Sequence, residues 1–507
     1  MRFDELIQAV SETEFWRLSN VEALLDTARW RQREIRSVQC DSRRVGPGDI
    51  FVAIPGTAAD GHDYIPRALR RGAEAVVAER LVETDDRPLI VVTDSRRALS
   101  FLCDAIHNSP ARAMKVIGVT GTNGKTTTSF LLRSIIHAAG SDAGMIGTIG
   151  WSSDGAFRPT SHTTPDPPDL HRMLAEFRRH GRRYAILEAS SHALDQRRLD
   201  GIPFAAGIFT NLSPEHLDYH ETMEQYREAK ATLFRQLPPS SVAVLRWEDS
   251  ASRYFAGVTR ARTVCYGAQG DVRIRASNLE VDGSMLEFLL GDRPVKTRVH
   301  LPGSHNIQNA LAAAAAAWAM GIPPEAIAEG IRAMRRVPGR LEKVEEAQGF
   351  SVFVDYAHTD DALQKVLMSL RQLASARIIV VFGCGGDRDA TKRPRMGRVA
   401  ERLADRTIIT SDNPRSEPPM TIIADILRGM KDKSRRVVIP DRRKAIAEAL
   451  AMAREGDVVL IAGKGHEPYQ IVGSEVREFD DRRAVREILA GCGDICSTYE
   501  TLSRRWE

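Results

Sequence analysis

Cysteine is scarce in this 507-residue chain, and its six residues, Cys40, Cys103, Cys265, Cys384, Cys492 and Cys496, are scattered. None forms a paired zinc spacing, so the expectation is a reduced, cytoplasmic protein. Cys492 and Cys496 stand at helical spacing, which reads as coincidence. Long apolar runs are missing as well. The most apolar stretch, Ala310 to Met320, is mostly alanine and too short to span a bilayer. It reads as a buried helix, and no membrane insertion is expected. Met1 to Val10 carries acidic residues and no long apolar core, unlike a signal peptide. A dominant charge is absent too. The net charge of +4 argues against a nucleic-acid platform, yet leaves room for a local basic site for an anionic small molecule.

What is present is ordinary globular material, 43% hydrophobic and 27% charged, in a chain too long for one core. About three domains are expected. Alternating strand and helix patterns place parallel α/β sheets in blocks 1–113, 114–334 and 335–507. Strands are expected at 49–54, 75–78 and 89–92 in the first block, and at 116–120, 184–188, 207–210 and 242–245 in the second. Residues 272–301 alternate around Asp282-Gly283, a hairpin signal, and a long helix follows over 307–320. In the third block strands are expected at 351–355, 377–382, 406–411 and 458–462, after a hinge-like Val337-Pro338-Gly339.

The most informative run is Gly121-Thr122-Asn123-Gly124-Lys125-Thr126-Thr127, between an apolar strand pattern and a helical one. Strand, glycine-rich turn and helix start are what a phosphate-binding loop needs. Glycines let backbone N–H groups converge on phosphate oxygens, and the helix adds the positive end of its dipole. Lys125 would reach the terminal phosphates, and the Thr126 hydroxyl would hold Mg²⁺. The strict pattern has glycine where this chain has Val119, so the loop is a variant.

Ligands of open parallel sheets bind beyond the carboxyl ends of strands, which directs attention to the polar clusters there. One is Glu188-Ala189-Ser190-Ser191-His192, and another runs from Thr210-Asn211 through Glu215-His216 to His220. Glu188 and His216 could share a Mg²⁺ shell, although a lone histidine is more often a structural or surface residue. Lys230 on the next helix reads by itself as a solvated cation. In the third block the clusters are Asp355-Tyr356-Ala357-His358-Thr359, Gly383 to Asp389, Asp412-Asn413-Pro414-Arg415 and Gly463-Lys464-Gly465-His466-Glu467. The last three follow strand patterns, and their Arg, Asp, Asn and Glu content suits a zwitterionic amino acid. The alternative is polar loops that merely cap a sheet.

Taken together, these motifs resemble the Mur ligase family of peptidoglycan synthesis. The resemblance extends to Asp41-Ser42-Arg43, Gly48 to Ala53, Asp60-Gly61-His62-Asp63, Thr163-Thr164-Pro165-Asp166, Leu301-Pro302-Gly303 with Asn306 and Asn309, and Val337-Pro338-Gly339-Arg340. It implies three domains: a UDP-binding one, a central one with a P-loop ATPase-like parallel sheet, and a Rossmann-like amino-acid-binding one. It also implies an ATP-dependent ligase acting in the cytoplasm. Its substrates would be UDP-N-acetylmuramoyl-L-Ala-D-Glu and meso-diaminopimelate, joined through an acyl phosphate. By the same resemblance, Ser42, Thr57, Ala58 and Ala59 would meet the uridine diphosphate, and Thr163, Thr164, Ser190, Gln196 and Arg198 the muramoyl dipeptide. ATP would be bound by Gly121 to Thr127, Asn306, Asn309, Arg340, Asp355 and His358. Diaminopimelate would be bound by Arg388, Asp412, Asn413, Pro414, Arg415, Gly463 and Glu467. By the resemblance, Lys230 would become a CO₂-derived carbamate and join Thr126, Glu188 and His216 as a Mg²⁺ ligand, and Lys125, Lys230, His216 and Glu188 would form the catalytic set. A monomer is expected, and domain closure would bring the ATP and amino-acid sites together.

Some positions depart from the family pattern. Glu215 stands for the usual Asp, Asp360 for Pro, and His305 for a common aromatic. Arg246-Trp247-Glu248-Asp249 replaces an Asn-x-Asp-Asp segment. Rival readings are a lysine-adding ligase, a folylpolyglutamate synthetase, and a P-loop switch that hydrolyses ATP without making a bond. Arg415 is expected to select diaminopimelate; the alternative is a salt bridge from Arg415 to Glu417.

Overall fold

The computed structural model describes residues 1–11, 28–56, 59–280, 283–374 and 376–499. They form two compact units. One comprises Met1–Leu212, His220–Tyr266 and Ala315–Ile322; the other comprises Ser213–Tyr219, Gly267–Ala314 and the chain from Pro323 onward.

In the first unit, strands β1 (Ser37–Gln39), β2 (Asp49–Val52), β3 (Ala75–Ala78) and β4 (Leu89–Val91) pair in parallel in that order. The helix Ser95–Ile106 starts where the Asp94 carboxylate accepts the Arg97 N–H, satisfying a donor that a helix start leaves free. It packs against this sheet and, through Ser100 Oγ, donates 2.8 Å to the Asp200 carbonyl. Arg44 makes a two-pronged ion pair with Asp169. The first sheet is thereby fastened to a larger one in the same unit.

That larger sheet is built from β5 (Lys115–Thr120), β6 (Ala143–Gly147), β7 (Gly150–Ser152), β8 (Tyr184–Glu188), β9 (Phe204–Phe209), β10 (Val242–Arg246) and β11 (Arg262–Gly267). Their spatial order is β11-β10-β9-β5-β8-β6-β7, parallel except for the β6–β7 hairpin. The central strands are buried on both faces, which is why they read as near-continuous apolar runs. Phe255 stacks on Phe234 and meets Phe209 edge-on, each with centroids 4.8 Å apart, closing one side of the core.

The second unit holds an antiparallel meander, β12 (Val272–Asn278), β13 (Ser284–Leu290) and β14 (Arg293–Val299). Of the expected Asp282-Gly283 turn, Asp282 lies outside the described residues, while Gly283 has a φ of +110°. The helix Ser304–Ala319 follows, with Ala310 and Ala312–Ala317 fully buried. A six-stranded sheet comes next: β15 (Glu342–Val344), β16 (Ser351–Asp355), β17 (Ile378–Phe382), β18 (Arg406–Ile409), β19 (Arg436–Val438) and β20 (Val458–Ala462), in the order β15-β16-β20-β17-β18-β19. All but β15 run parallel. Phe353, Val380 and Leu460 enter one hydrophobic core and Val352, Val354, Val459 and Ile461 another, as the two-residue pleat requires. A short hairpin, β21 (Tyr469–Val472) and β22 (Glu475–Glu478), precedes the last helix, Asp481–Tyr499. Among the described residues no helix is long and apolar enough to cross a membrane.

Candidate active site

Because β5, β6, β8 and β9 are parallel, the residues that follow them emerge at one edge of the sheet. The loop after β5 turns through Gly121 at φ +145° and Gly124 at φ +85°, and Lys125 begins the helix Lys125–Ala138. A Cβ on Gly121 would collide with the Thr210 hydroxyl, so the close approach of the β9 end requires glycine. Asn211 braces the loop. Its carbonyl accepts the Thr122 N–H at 2.8 Å, its Oδ1 the Asn123 N–H at 3.1 Å, and its Nδ2 donates to the Asn123 carbonyl at 2.9 Å. Lys125 Nζ curls over the loop and donates 2.8 Å to each of the Gly121 and Thr122 carbonyls. A glycine-rich turn at a helix start, with a lysine above it, has the form that a phosphate-binding loop requires.

Glu188, at the end of β8, is buried and acts as a hub. Its Oε2 accepts from Thr126 Oγ1 at 3.0 Å and from Thr148 Oγ1 at 2.9 Å, and its Oε1 accepts the Thr148 N–H at 3.2 Å. Thr148 lies 3.1 Å from Thr163 Oγ1. Thr164 Oγ1 donates to the Glu188 carbonyl at 2.6 Å and lies 3.1 Å from Ser190 Oγ. Arg198 Nη1 donates to the Thr164 carbonyl at 2.8 Å, while its Nε and Nη2 reach Gln196 Oε1 at 3.1 and 2.6 Å. The structure thus brings Thr126, Glu188, Thr163, Thr164, Ser190, Gln196 and Arg198 into one connected network.

Lys230, on the helix Met223–Arg235, is buried, with Nζ 4.2 Å from the centroid of the Tyr226 ring. Tyr226 in turn places its hydroxyl 3.2 Å from Thr122 Oγ1 of the phosphate loop. His216 belongs to the other unit and is exposed, on a loop residue with φ +57°. Among the described residues no three His, Cys, Asp or Glu side chains gather in a metal-holding group. Ser42 is buried, Ala59 is exposed with its carbonyl accepting the Gly56 N–H, and Thr57 and Ala58 lie outside the described residues.

In the second unit Asn306 and Asn309 occupy the first turns of the helix Ser304–Ala319 and are buried. Asn309 Nδ2 donates to Asn306 Oδ1 at 3.0 Å, and Asn306 Nδ2 to the Pro302 carbonyl at 2.8 Å. At the end of β16, Asp355 accepts the N–H groups of Leu341 and Ala357 at 2.7 and 2.8 Å. Burial pushes its carboxyl above the usual range, against the pull of the Arg340 guanidinium and those two N–H groups. Arg340 stacks over the Tyr356 ring at 4.7 Å. His358 Nδ1 lies 2.9 Å from the Tyr356 carbonyl; burial, aided by the Lys392 charge, lowers its pKa to about 4, so it is neutral near pH 7.

The loops after β17, β18 and β20 share one edge of the six-stranded sheet. Asn413 Nδ2 donates to Glu467 Oε2 at 2.9 Å, and Asn413 Oδ1 accepts from Lys464 Nζ at 3.1 Å and the Ile471 N–H at 3.0 Å. Gly463, at φ +114°, leaves no room for a Cβ beside the Asp412 carboxylate. Burial raises the pKa of Glu467 despite the nearby Lys464 ammonium. Arg415 Nη1 donates to the Gly386 carbonyl at 2.8 Å, and among the described residues its guanidinium makes no ion pair. Glu417, the alternative partner considered for it, pairs with buried Arg393. Pro414 is buried, with its carbonyl where a Cβ on Gly386 would be, and Arg388 is exposed on the β17 loop.

Thr148 and Lys464 were not among the expected site residues. Thr148 directly follows β6, a strand not expected from the sequence. Lys464 sits inside a singled-out motif, and its full burial is what the sequence does not display.

Comparison with known proteins gives the family of the chain. Family models match residues 34–107 (Mur ligase family, catalytic domain), 119–317 (Mur ligase middle domain) and 339–465 (Mur ligase, glutamate ligase domain). The UDP-N-acetylmuramoyl-L-alanyl-D-glutamate–2,6-diaminopimelate ligase of Geobacillus kaustophilus (strain HTA426) is 45% identical over 464 residues, 89% of this chain and 94% of that protein. The chain belongs to the Mur ligase family. The like-named protein of Geobacter metallireducens (strain ATCC 53774 / DSM 7210 / GS-15) is 43% identical over 89% of this chain and 93% of its own length. A solved structure of a ligase of that name superposes with a TM-score of 0.67 at 33% identity, covering 92% of this chain and 97% of that one. Mycobacterium tuberculosis folylpolyglutamate synthase, with a TM-score of 0.61 over 73% of this chain and 92% of its own, is only 19% identical and shares the fold. The three-domain α/β architecture of Mur ligases is therefore the fold of this chain.

Proposed function

We propose that this Mur ligase uses ATP to join meso-diaminopimelate to UDP-N-acetylmuramoyl-L-Ala-D-Glu, in the cytoplasmic synthesis of peptidoglycan precursors. In this reading residues 1–113 bind the uridine diphosphate, 114–334 bind ATP and 335–507 bind the amino acid. The observation that carries it is the Glu188 hub. One carboxylate is hydrogen-bonded to the phosphate-loop residue Thr126 and to Thr148, which reaches Thr163. A nucleotide phosphate and a second substrate would therefore lie side by side, as transfer between them demands.

A carboxylate repels an amine nucleophile, so it must first be activated. The γ-carboxylate of the substrate attacks the γ-phosphorus of ATP and releases ADP. The amine of diaminopimelate then adds to the acyl phosphate, and the tetrahedral intermediate expels phosphate to leave an amide. Lys125 and the loop Gly121 to Thr127 hold the phosphates, through N–H groups other than those of Thr122 and Asn123, which donate to Asn211. Asn306 and Asn309 lie on the adenine side, Arg340 reaches the γ-phosphate, and Asp355 and neutral His358 border the nucleotide. Ser42, with Thr57 to Ala59, meets the uridine diphosphate, and Thr163, Thr164, Ser190, Gln196 and Arg198 orient the dipeptide. The hydroxyl of Thr126 and the carboxylate of Glu188, 3.0 Å apart, are hard oxygen donors of the kind Mg²⁺ takes. His216 and Lys230 complete the proposed set, Lys230 as a carbamate that turns a buried cation into an anionic oxygen donor. When bound, Mg²⁺ supplies positive charge for the transferring phosphoryl group.

Arg415, with Arg388, Asp412, Asn413, Pro414, Gly463 and Glu467, receives the amino acid. Diaminopimelate differs from lysine by a second carboxylate, and a guanidinium can bind it with two parallel hydrogen bonds. Lysine would leave that guanidinium desolvated without its anion, a mismatch able to discriminate by a factor of about 10⁴. Phosphate release with the UDP-linked dipeptide, ATP and a panel of third amino acids tests this. A strong preference for meso-diaminopimelate over L-lysine, collapsing in Arg415→Ala, is expected. Equal kcat/KM for the two amino acids would refute the specificity, and phosphate release independent of any amino acid would refute the ligase.

A further inference from the structure

Arg442 begins the helix Arg442–Met452, after Asp441 has capped it by accepting the Lys444 N–H. Its side chain and that of Asp481 have no exposed surface at all. Arg442 Nε and Nη2 grip Asp481 Oδ1 and Oδ2 at 2.7 and 2.8 Å. The same guanidinium reaches two backbone carbonyls, Ala462 at 3.0 Å through Nη2 and Ser411 at 3.3 Å through Nη1. These carbonyls stand immediately before Asp412 and Gly463, the first residues of two amino-acid-binding loops. One rigid, planar group thus ties the exits of β18 and β20 together.

The loops need such a tie. The Asp412 carboxylate occupies the space a Cβ on Gly463 would fill, and Asn413 bridges to Lys464 and Glu467. A small slip of one loop against the other would break each of these contacts. Burial disfavours the charge on Arg442; Asp481, with smaller help from Asp412 and Glu467, more than restores it. A buried ion pair is seldom more stabilising than a well-packed apolar pair. Its value here is geometric, because only a guanidinium can serve a carboxylate and two carbonyls in fixed directions.

We propose that Arg442, fixed by Asp481, is a positioning residue that sets the register of loops 412–415 and 463–467 without touching the amino acid they bind. The amino-acid role of the loops rests on the function proposed above; the register role rests on these contacts alone. The test uses the full chain with Arg442→Lys, which keeps the charge and loses the fork, and Asp481→Asn, which keeps the shape and loses the anion. Amide hydrogen exchange is followed in peptides covering both loops and, as a reference, the phosphate loop. Faster exchange in both amino-acid loops, with none at residues 121–127, is expected. A fall of about 10²-fold in kcat/KM for diaminopimelate, mostly through KM, should accompany it, as for a site misplaced by about 1 Å. Acyl phosphate trapped by borohydride reduction in the absence of amino acid should be unchanged. Unaltered exchange at both loops in either folded variant would overturn the proposal, as would equal loss of acyl-phosphate formation and ligation. Should the wild type prefer lysine, the diaminopimelate reading falls, and the exchange data still decide the role of Arg442.

Discussion

Lys125 donates to two carbonyls of its own loop, so its ammonium already sits over the turn that would meet phosphate. Replacing it removes charge from the proposed transition state without opening a core cavity, because Lys125 is only half-buried. Lys125→Ala is therefore expected to lower kcat by roughly 10²–10³, with a thermal melt close to wild type. Normal turnover by the folded variant would remove the lysine from the ATP site. Lys125 and Thr126 were legible in the sequence because their chemistry lies in one contiguous motif. Thr148 was not, although its hydroxyl joins Glu188 to Thr163. It follows β6, where Gly144 and Gly147 interrupt the apolar pattern that marks a strand. The structure accounts for both glycines: a Cβ on Gly144 would overlap the Phe177 ring, and one on Gly147 the Glu188 carboxylate.

At the level of elements, the strands buried on both faces were readable as apolar runs, and β3, β8, β16 and β20 span the expected residues. Of the three-residue strands, β4 falls within the expected 89–92, whereas β1, β7, β15 and β19 were not read, since so short a segment carries little pattern. Nor could the sequence state that β9 lies beside β5, which is what brings Asn211 against Asn123. Asn211 stood in a recognised polar cluster, but its brace on the phosphate loop depends on that register. Asn211→Ala removes two side-chain hydrogen bonds from Asn123. Each is worth about 1 kcal/mol, so KM for ATP should rise by up to roughly 30-fold with the fold intact. An unchanged KM would show that the loop keeps its shape without the brace.

For the whole molecule, three histidines in different places share one property. Burial, before any neighbouring charge, lowers the pKa of His107, His305 and His358 from about 6.5 to about 4. Between those values the unfolded chain binds protons that the folded chain does not, so stability rises with pH across this window. It is expected to be full above about pH 6.5 and to fall steadily toward pH 4. Urea midpoints at pH 7.0, 5.5 and 4.5 should decrease in that order. A midpoint independent of pH over this range would mean that these imidazoles are protonated in the folded protein.

The central claim, that a carboxylate is activated by phosphorylation and then joined to an amine, has a direct isotopic test. The oxygen that attacks phosphorus leaves with the phosphate when the amide forms. With ¹⁸O in the γ-carboxylate of the UDP-linked dipeptide, each turnover with ATP and meso-diaminopimelate should deliver one labelled oxygen to the phosphate released. Mass spectrometry of that phosphate, alongside the UDP-linked tripeptide, reads the outcome. Label in phosphate in step with tripeptide is the expected result. Unlabelled phosphate would contradict the acyl phosphate and, with it, the assigned chemistry of the Glu188 site.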